Sequence, residues 1–335
     1  MTLEKRVAIT LPLGQNLQDS IDAVKWAEDN GITDAWFMDP GAPDGLTVAA
    51  VMAAHTTKIR IGTAIVPVYT RSPTVLAAMA DVVGQALPGR FVLGLGSSSQ
   101  TIMQNFNGIK LEKPLTRVKE TCLVVRSILA GEKTNFTDME TVYSRGYSQV
   151  ASKPTIPIYL AALRPKMIEM ASEIGDGVIF NLWPKRALPK MLEHVRIGAE
   201  RAGKDWQKIE IVNRTMAMVT DDKEAARNAW RVHYAPYFAN PVYNNYLRWC
   251  GFPEVADEIS AGWAAKDRER TTNAFSDELV DEIGCIGTEA EVRERFKEMA
   301  EMGITTNICA PFGPPDREVF FRTCSAITAE KLRLN

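Results

Sequence analysis

The chain has 335 residues, 46% of them apolar, and a formal net charge of −2. That is enough apolar material for a sizeable core, and the balanced charge gives no reason to expect nucleic acid or an acidic membrane surface as a partner. No apolar run approaches the roughly 18 residues of a membrane span, and "MTLEKRVAITLPL" lacks a signal peptide's long apolar stretch, so a cytoplasmic protein is expected.

The first strand is "RVAITLPL", residues 6–13. A helix follows, with Asn16 as its cap, Leu17, Ile21 and Val24 on one face, and Gly31 as its end. "DAWFMD" is a second strand, ending at Asp39. A loop with Pro40, Gly41 and Pro43 leads to a cap at Asp44 and an alanine-rich helix. The third strand is "IRIGTAIVP", residues 59–67. Ser72 then suits an N-cap and Pro73 the first helical position, where its missing N–H costs nothing. Val75, Met79, Val82 and Ala86 keep helical spacing behind it. "RFVLGLG" is strand four. After a polar connection a helix runs from about Pro114, with Leu115, Val118, Cys122, Val125 and Leu129 on one face.

The alternation resumes with "IPIYLAA" and "PKMIEMASEIG", then "GVIFNLW" and a helical stretch from Pro184, then "IEIVNRTMAMV". Residues 222–286 read as mostly helical and rich in aromatics. "TEAEVRERFKEMAEMG" has a capping box, Thr288 with Glu291, and a terminal glycine, Gly303. "TNICAPF" is the last strand. Eight apolar strands, each followed by helix, predict an α/β fold with a covered parallel sheet. Over this length they favour a closed (β/α)8 TIM barrel, with the doubly wound open sheet as the rival. One domain, 1–335, is expected, with insertions after strands 4 and 7, at 97–113 and about 231–285. Loops of such length serve as lids, substrate walls or subunit contacts.

Five cysteines, Cys122, Cys250, Cys285, Cys309 and Cys324, show no CxxC spacing and read as reduced thiols. The three histidines, His55, His194 and His233, show no HxxxH or HExxH spacing, so no histidine-rich metal site is expected. Gly94-x-Gly96-x-x-Ser99 falls short of a dinucleotide fingerprint. The third glycine is missing, the unit is the fourth, no helix begins at once, and the acidic residue twenty positions on, Glu120, lies inside a helix. In a barrel the same residues, Gly94, Gly96, Ser97, Ser98 and Ser99, stand at the carboxyl rim where active sites form. Small residues there admit a flat ligand to the backbone, and hydroxyls can hold polar oxygens. The same residues also make a plain tight corner.

"TTKIRIGTAIVPVYTRSPTVLAAMADVVGQALPGRFVLGLGSSS" and "PIYLAALRPKMIEMASEIGDGVIFNLW" resemble the bacterial luciferase-like flavin and deazaflavin oxidoreductases, and most of all those that use coenzyme F420. The resemblance spans most of 5–220 and 284–312. It implies a (β/α)8 barrel with a cofactor at the strand ends, a small-molecule substrate and a homodimer. It places a bulge with a non-proline cis peptide at Ala64–Ile65, behind the cofactor ring, with Thr63, Ala64 and Ile65 as cofactor contacts. It puts the cofactor's phosphate near Ala161, Ala162, Leu163 and Arg164, where Pro165 opens a helix and Lys166 adds charge. Asp39 could orient a ring hydroxyl or relay a proton, or else cap a helix or form a salt bridge. Asn181 and Asn213 could hydrogen-bond the ring or the substrate, or be satisfied amides, and Trp183 could equally be packing. The sugar-phosphate dehydrogenases of the family carry a histidine where Pro40 stands and a glutamate where Ser99 stands. Both are acid/base groups in those relatives, so sugar-phosphate oxidation is not expected here. Asp39, Tyr69 or a lid residue would then supply the proton, or the substrate is an activated double bond or imine and water supplies it. Three readings remain: an F420-dependent oxidoreductase, an FMN-dependent monooxygenase, and a non-catalytic flavin-binding protein.

Overall fold

The computed structural model describes residues 3–333 apart from 15, 40–42 and 314–315; the expectation at Pro40 lies outside the described residues. Eight parallel strands close into a ring: β1 (Arg6–Leu11), β2 (Asp34–Phe37), β3 (Arg60–Thr63), β4 (Phe91–Gly96), β5 (Ile158–Ala161), β6 (Gly177–Asn181), β7 (Glu210–Val219) and β8 (Thr306–Pro311). β8 pairs with β1 (Ala8 opposite Ile308) and β7 with β6 (Val212 opposite Ile179), so no edge is left open and the open-sheet rival is excluded. The helices that cover the ring are α1 (Leu17–Asp29), α2 (Gly45–Ala53), α3 (Pro73–Ala86), α4 (Pro114–Leu129), α5 (Pro165–Ile174) and α6 (Leu188–Arg201).

Their ends follow the local chemistry. Asn16 accepts the Gln18 N–H at 3.0 Å, and Asp44 accepts that of Thr47 at 2.7 Å. Pro73 opens α3 after Ser72. The core faces are less legible. Val75 and Val82 of α3 are exposed, and Leu76, Ala77, Ala80 and Val83 are buried instead. Leu17 of α1 is exposed as well, and Ile21 and Val24 are buried.

Strand parity fixes what fills the ring. At its amino end Arg60 donates to Asp34 Oδ1 at 2.5 Å and to both Glu210 oxygens at 2.5 and 2.9 Å. Glu210 also accepts from the hydroxyls of Tyr159 (2.6 Å) and Thr306 (2.5 Å). Burial opposes the charge on Glu210, but these donors carry its pKa down to about 2. Above this plug lie Trp36, Val92, Ile179, Val212 and Ile308. The interior is therefore closed below, and a ligand has room only at the carboxyl end.

Two insertions shape that end. After β4, residues 97–113 carry a wide-pitch helical turn at Thr101–Phe106. After β7 come α7 (Lys223–Ala239), α8 (Pro241–Trp249), α9 (Pro253–Ala264), α10 (Arg268–Asn273) and α11 (Asp277–Ile283). The helical insertion begins at Lys223. A short strand, Cys285–Gly287, then pairs with the end of β7, and α12 (Glu289–Glu301) with its Thr288–Glu291 capping box completes the seventh unit. The insertion's aromatic core, with Trp230, Phe238 and Phe275, also takes in Leu182, Met216, Ala310 and Phe312 from the rim. It thus sits on the carboxyl ends of β6 to β8. Among the described residues no helix is long and apolar enough to cross a membrane.

Candidate active site

The third strand does not run straight to Pro67. Gly62 pairs with Val92, and the next pair is Val66 with Leu95. Four steps on one strand answer three on the other, so one extra residue bulges out. The Ala64–Ile65 bond within it is cis. Thr63 closes the gap in the ladder: its hydroxyl donates to the Gly94 carbonyl at 2.9 Å and accepts the Gly94 N–H at 2.8 Å. Thr63 is fully buried. This corrects its placing as a cofactor contact; it braces the bulge from behind. Gly94 has no alternative, because a Cβ would lie 1.8 Å from the Thr63 carbonyl oxygen.

The bulge brings together residues far apart in sequence. A Cβ on Gly96 would stand 3.0 Å from both Ala161 Cβ and Ile65 Cγ1. Ala64, Ile65 and Ala161 are only partly buried and cap the interior layer. The result is a small apolar floor at the rim.

Beside it β4 ends in three partly exposed serines. Ser98 is left-handed (φ 62°), and Ser97 Oγ donates to its carbonyl at 3.3 Å. Ser99 Oγ accepts the Ile102 N–H at 3.3 Å and starts the helical turn, so helix follows the glycine strand sooner than the sequence implies. Glu120, the would-be ribose ligand of a dinucleotide fold, instead holds the N–H groups of Glu140 and Thr141.

At the start of α5 the Ala162 N–H is spent on the Ile179 carbonyl at 3.0 Å, and Ala162 is buried. It cannot donate to a phosphate, contrary to its placing there, because the barrel ladder reaches one residue further than β5 itself. The N–H groups of Leu163, Arg164 and Lys166 make no hydrogen bond among the described residues, and Arg164 and Lys166 are exposed with no ion pair. That set suits an anion.

On the far side Asn181 ends β6. Its Nδ2 lies 3.3 Å from the Tyr243 hydroxyl of α8, and its Oδ1 is buried without a partner. Whichever way the amide is turned, one polar atom is left over. Arg214 of β7 stands in the same register row. It donates to the Thr10 hydroxyl at 3.3 Å. Next to it, a pocket of about 190 Å³ opens between Thr10, Met38, Arg214, Pro311, Phe312 and Phe320.

The remaining candidates lie elsewhere. Asp39 is buried against the start of α2 and ion-paired to Arg71 Nη1 at 2.9 Å. Tyr69 donates its hydroxyl to the Glu112 carbonyl at 2.5 Å, and burial raises its pKa. Asn213 faces outward; its Oδ1 accepts Trp183 Nε1 at 2.5 Å and its Nδ2 donates to Thr215. It is a satisfied structural amide and Trp183 is packing. Arg71, Arg214 and Tyr243 were not singled out from the sequence as functional. Only Arg214 left a signal, as a cation at an inward position of an apolar strand.

A flat flavin-like ring fits this rim on two counts. Gly96 puts no side chain above the floor where Ile65 and Ala161 close together, and the leftover amide atom of Asn181 awaits a polar edge. Among the described residues no group of three His, Cys, Asp or Glu side chains is arranged to hold a metal.

Residues 2–306 match the family model described as luciferase-like monooxygenase. The chain is 28% identical over 303 residues to a 5,10-methylenetetrahydromethanopterin reductase of Archaeoglobus fulgidus, covering 88% of this chain and 90% of that one. It is 26% identical over 329 residues to a putative coenzyme F420-dependent oxidoreductase of Mycobacterium tuberculosis, covering 90% and 94%. The coenzyme F420-dependent tetrahydromethanopterin reductase of Methanopyrus kandleri shares the fold with a TM-score of 0.80 at 21% identity, over 97% of this chain and 98% of that one.

Proposed function

Because the chain belongs to the luciferase-like monooxygenase family, and is a luciferase-like oxidoreductase, we propose that it moves a hydride between coenzyme F420 and a small organic substrate. The observation that carries this reading is the floor of Ala64, Ile65, Gly96 and Ala161 facing the leftover amide of Asn181. The choice of F420 is supported by the description of the similar M. tuberculosis protein.

When bound, the cofactor supplies the hydride chemistry itself; the protein's share is position and exclusion of water. Ile65 and Ala64 back one face of the ring, and Thr63 fixes the backbone that presents them. Asn181 gives the ring's polar edge a partner and Tyr243 sets the amide's direction. Ser97, Ser98 and the free N–H groups at Leu163, Arg164 and Lys166 hold the polar chain and phosphate. The insertion on β6 to β8 keeps water from the open face. Asp39 is ion-paired to Arg71 and the Tyr69 hydroxyl is held by the Glu112 carbonyl, so water or a group of the insertion is the readier source of the proton that accompanies hydride transfer.

Titrating the protein with F420 and with FMN, and following absorbance, tests the choice. Submicromolar F420 binding with weak FMN binding is expected. Tight FMN binding without F420 binding would replace this reading by the FMN-dependent one. Ser98→Arg is expected to abolish cofactor binding with the fold intact, and unchanged affinity contradicts the placement. Oxidation of reduced cofactor by any member of a panel of enones and imines separates an enzyme from a mere carrier.

A further inference from the structure

The interior of the barrel holds three arginines. Arg6 and Arg60, at the closed end, are both ion-paired to Asp34. Arg214, at the open end, has no carboxylate within ion-pair distance among the described residues, and the residues outside the description carry no acidic side chain. Arg90 and Arg117 also lack an acid, but they donate to backbone carbonyls. Arg214 has only weak or shared acceptors: the Thr10 hydroxyl at 3.3 Å, the Met216 thioether at 3.3 Å, and the neighbouring Tyr234 hydroxyl. A thioether is a poor acceptor, and a half-buried guanidinium left this way pays for its desolvation without return.

The side on which Arg214 stands gives it a use. The floor of Ile65, Gly96 and Ala161 belongs to β3, β4 and β5. A ring lying against it turns its other face toward β7, β8 and β1, where the 190 Å³ pocket opens. That pocket is lined for the most part by apolar residues, Met38, Pro311, Phe312 and Phe320 among them, and Arg214 is the one cation among the described lining residues. Asp316 is the one acid among the described lining residues, and its Oδ1 accepts the N–H groups of Glu318 (2.7 Å) and Val319 (3.3 Å) at the start of the next helix, which offset part of its charge. Burial and the Arg214 charge both lower the pKa of nearby His233.

We propose that this pocket binds the substrate, and that the substrate is an apolar organic acid whose carboxylate is held by Arg214. A carboxylate is planar and matches two parallel N–H groups of a guanidinium, which a neutral amide cannot do as well. The proposal rests on the reading of the rim as a cofactor site, since that reading leaves this side to the substrate.

The test measures binding by isothermal titration, in protein with and without F420. The probes are benzoate, trans-cinnamate and octanoate, each beside its own primary amide. Wild type is expected to bind at least one acid about tenfold or more tighter than its amide, which is about 1.4 kcal/mol. In Arg214→Met that ratio falls to near one while F420 affinity stays within about threefold; Arg214→Lys keeps part of it. An acid-to-amide ratio near one in wild type for every pair overturns the proposal, and that measurement needs no variant to fold. So does an unchanged ratio in Arg214→Met. Loss of F420 affinity in Arg214→Met with the acid preference intact assigns the cation to the cofactor instead. Failure of F420 to bind at all sinks the cofactor reading, while the ratio in cofactor-free protein still decides this one.

Discussion

Replacing Thr63 by valine isolates the brace behind the rim. Valine keeps the shape and removes one oxygen. That oxygen serves both the N–H and the carbonyl of Gly94, at 2.8 and 2.9 Å, in a place with no solvent exposure. The bulge carries the regular β3 partners away, so both backbone groups become orphans. An unsatisfied buried polar group costs about 1–3 kcal/mol, and two of them about 2–5 kcal/mol, after a small gain from burying the methyl. Urea denaturation with unchanged m-value is the assay. Thr63→Ser is the control: it keeps the hydroxyl and loses one methyl, for about 1 kcal/mol. F420 affinity should fall in the valine variant and hold in the serine one, since Ile65 is aimed by the braced backbone. If Thr63→Val is no less stable than Thr63→Ser, the hydroxyl does not brace the bulge and the reasoning fails.

Gly96→Ala puts a methyl 3.0 Å from Ala161 and Ile65, so cofactor affinity should drop by about tenfold or more for about 1–2 kcal/mol of stability; an unchanged dissociation constant refutes the floor. Asn181→Leu combined with Tyr243→Phe removes a leftover buried amide and its partner together. Its urea midpoint should rise while F420 affinity falls, and a rise in both would show that the amide serves no ligand. Acid stability should follow the carboxylates. Burial works against Glu28, yet the N–H groups of Thr57, Lys58 and Ile59 hold its pKa at about 2. Glu210 sits at about 2 as well. An unfolded glutamate titrates near about 4.3, so between about pH 5 and pH 2 the unfolded chain binds more protons. The stability these groups give is complete above that window and is lost as pH falls through it. Glu28→Gln should therefore flatten the urea midpoint against pH between about 5 and 3; an unaltered slope would contradict the assignment.

Sequence alone determined the order of the elements, since strands and helices are written in periodicity and punctuation. Asn16, Asp44, Ser72–Pro73 and the Thr288–Glu291 box all mark helix starts that form as read. Eight apolar strands already implied a covered parallel sheet. Family resemblance placed the cis bond at Ala64–Ile65, which no periodicity would reveal. The core face of α3 was not legible from spacing, because apolar residues lie on more than one side of that helix, and only its neighbours choose between Val75 and Leu76.

What tertiary structure decided is which polar groups are already spent. Thr63, Ala162, Asn213 and Asp39 carry the right chemistry for a site, but Gly94, Ile179, Trp183 and Arg71 claim them. Arg214 and Asn181 stand out for the opposite reason: the fold sets them side by side and gives them little or nothing to hold. A hydrogen bond is a pairwise property of atoms brought together by the closed ring. Its donors can be named from the chain, and its vacancies are fixed only when the ring has closed.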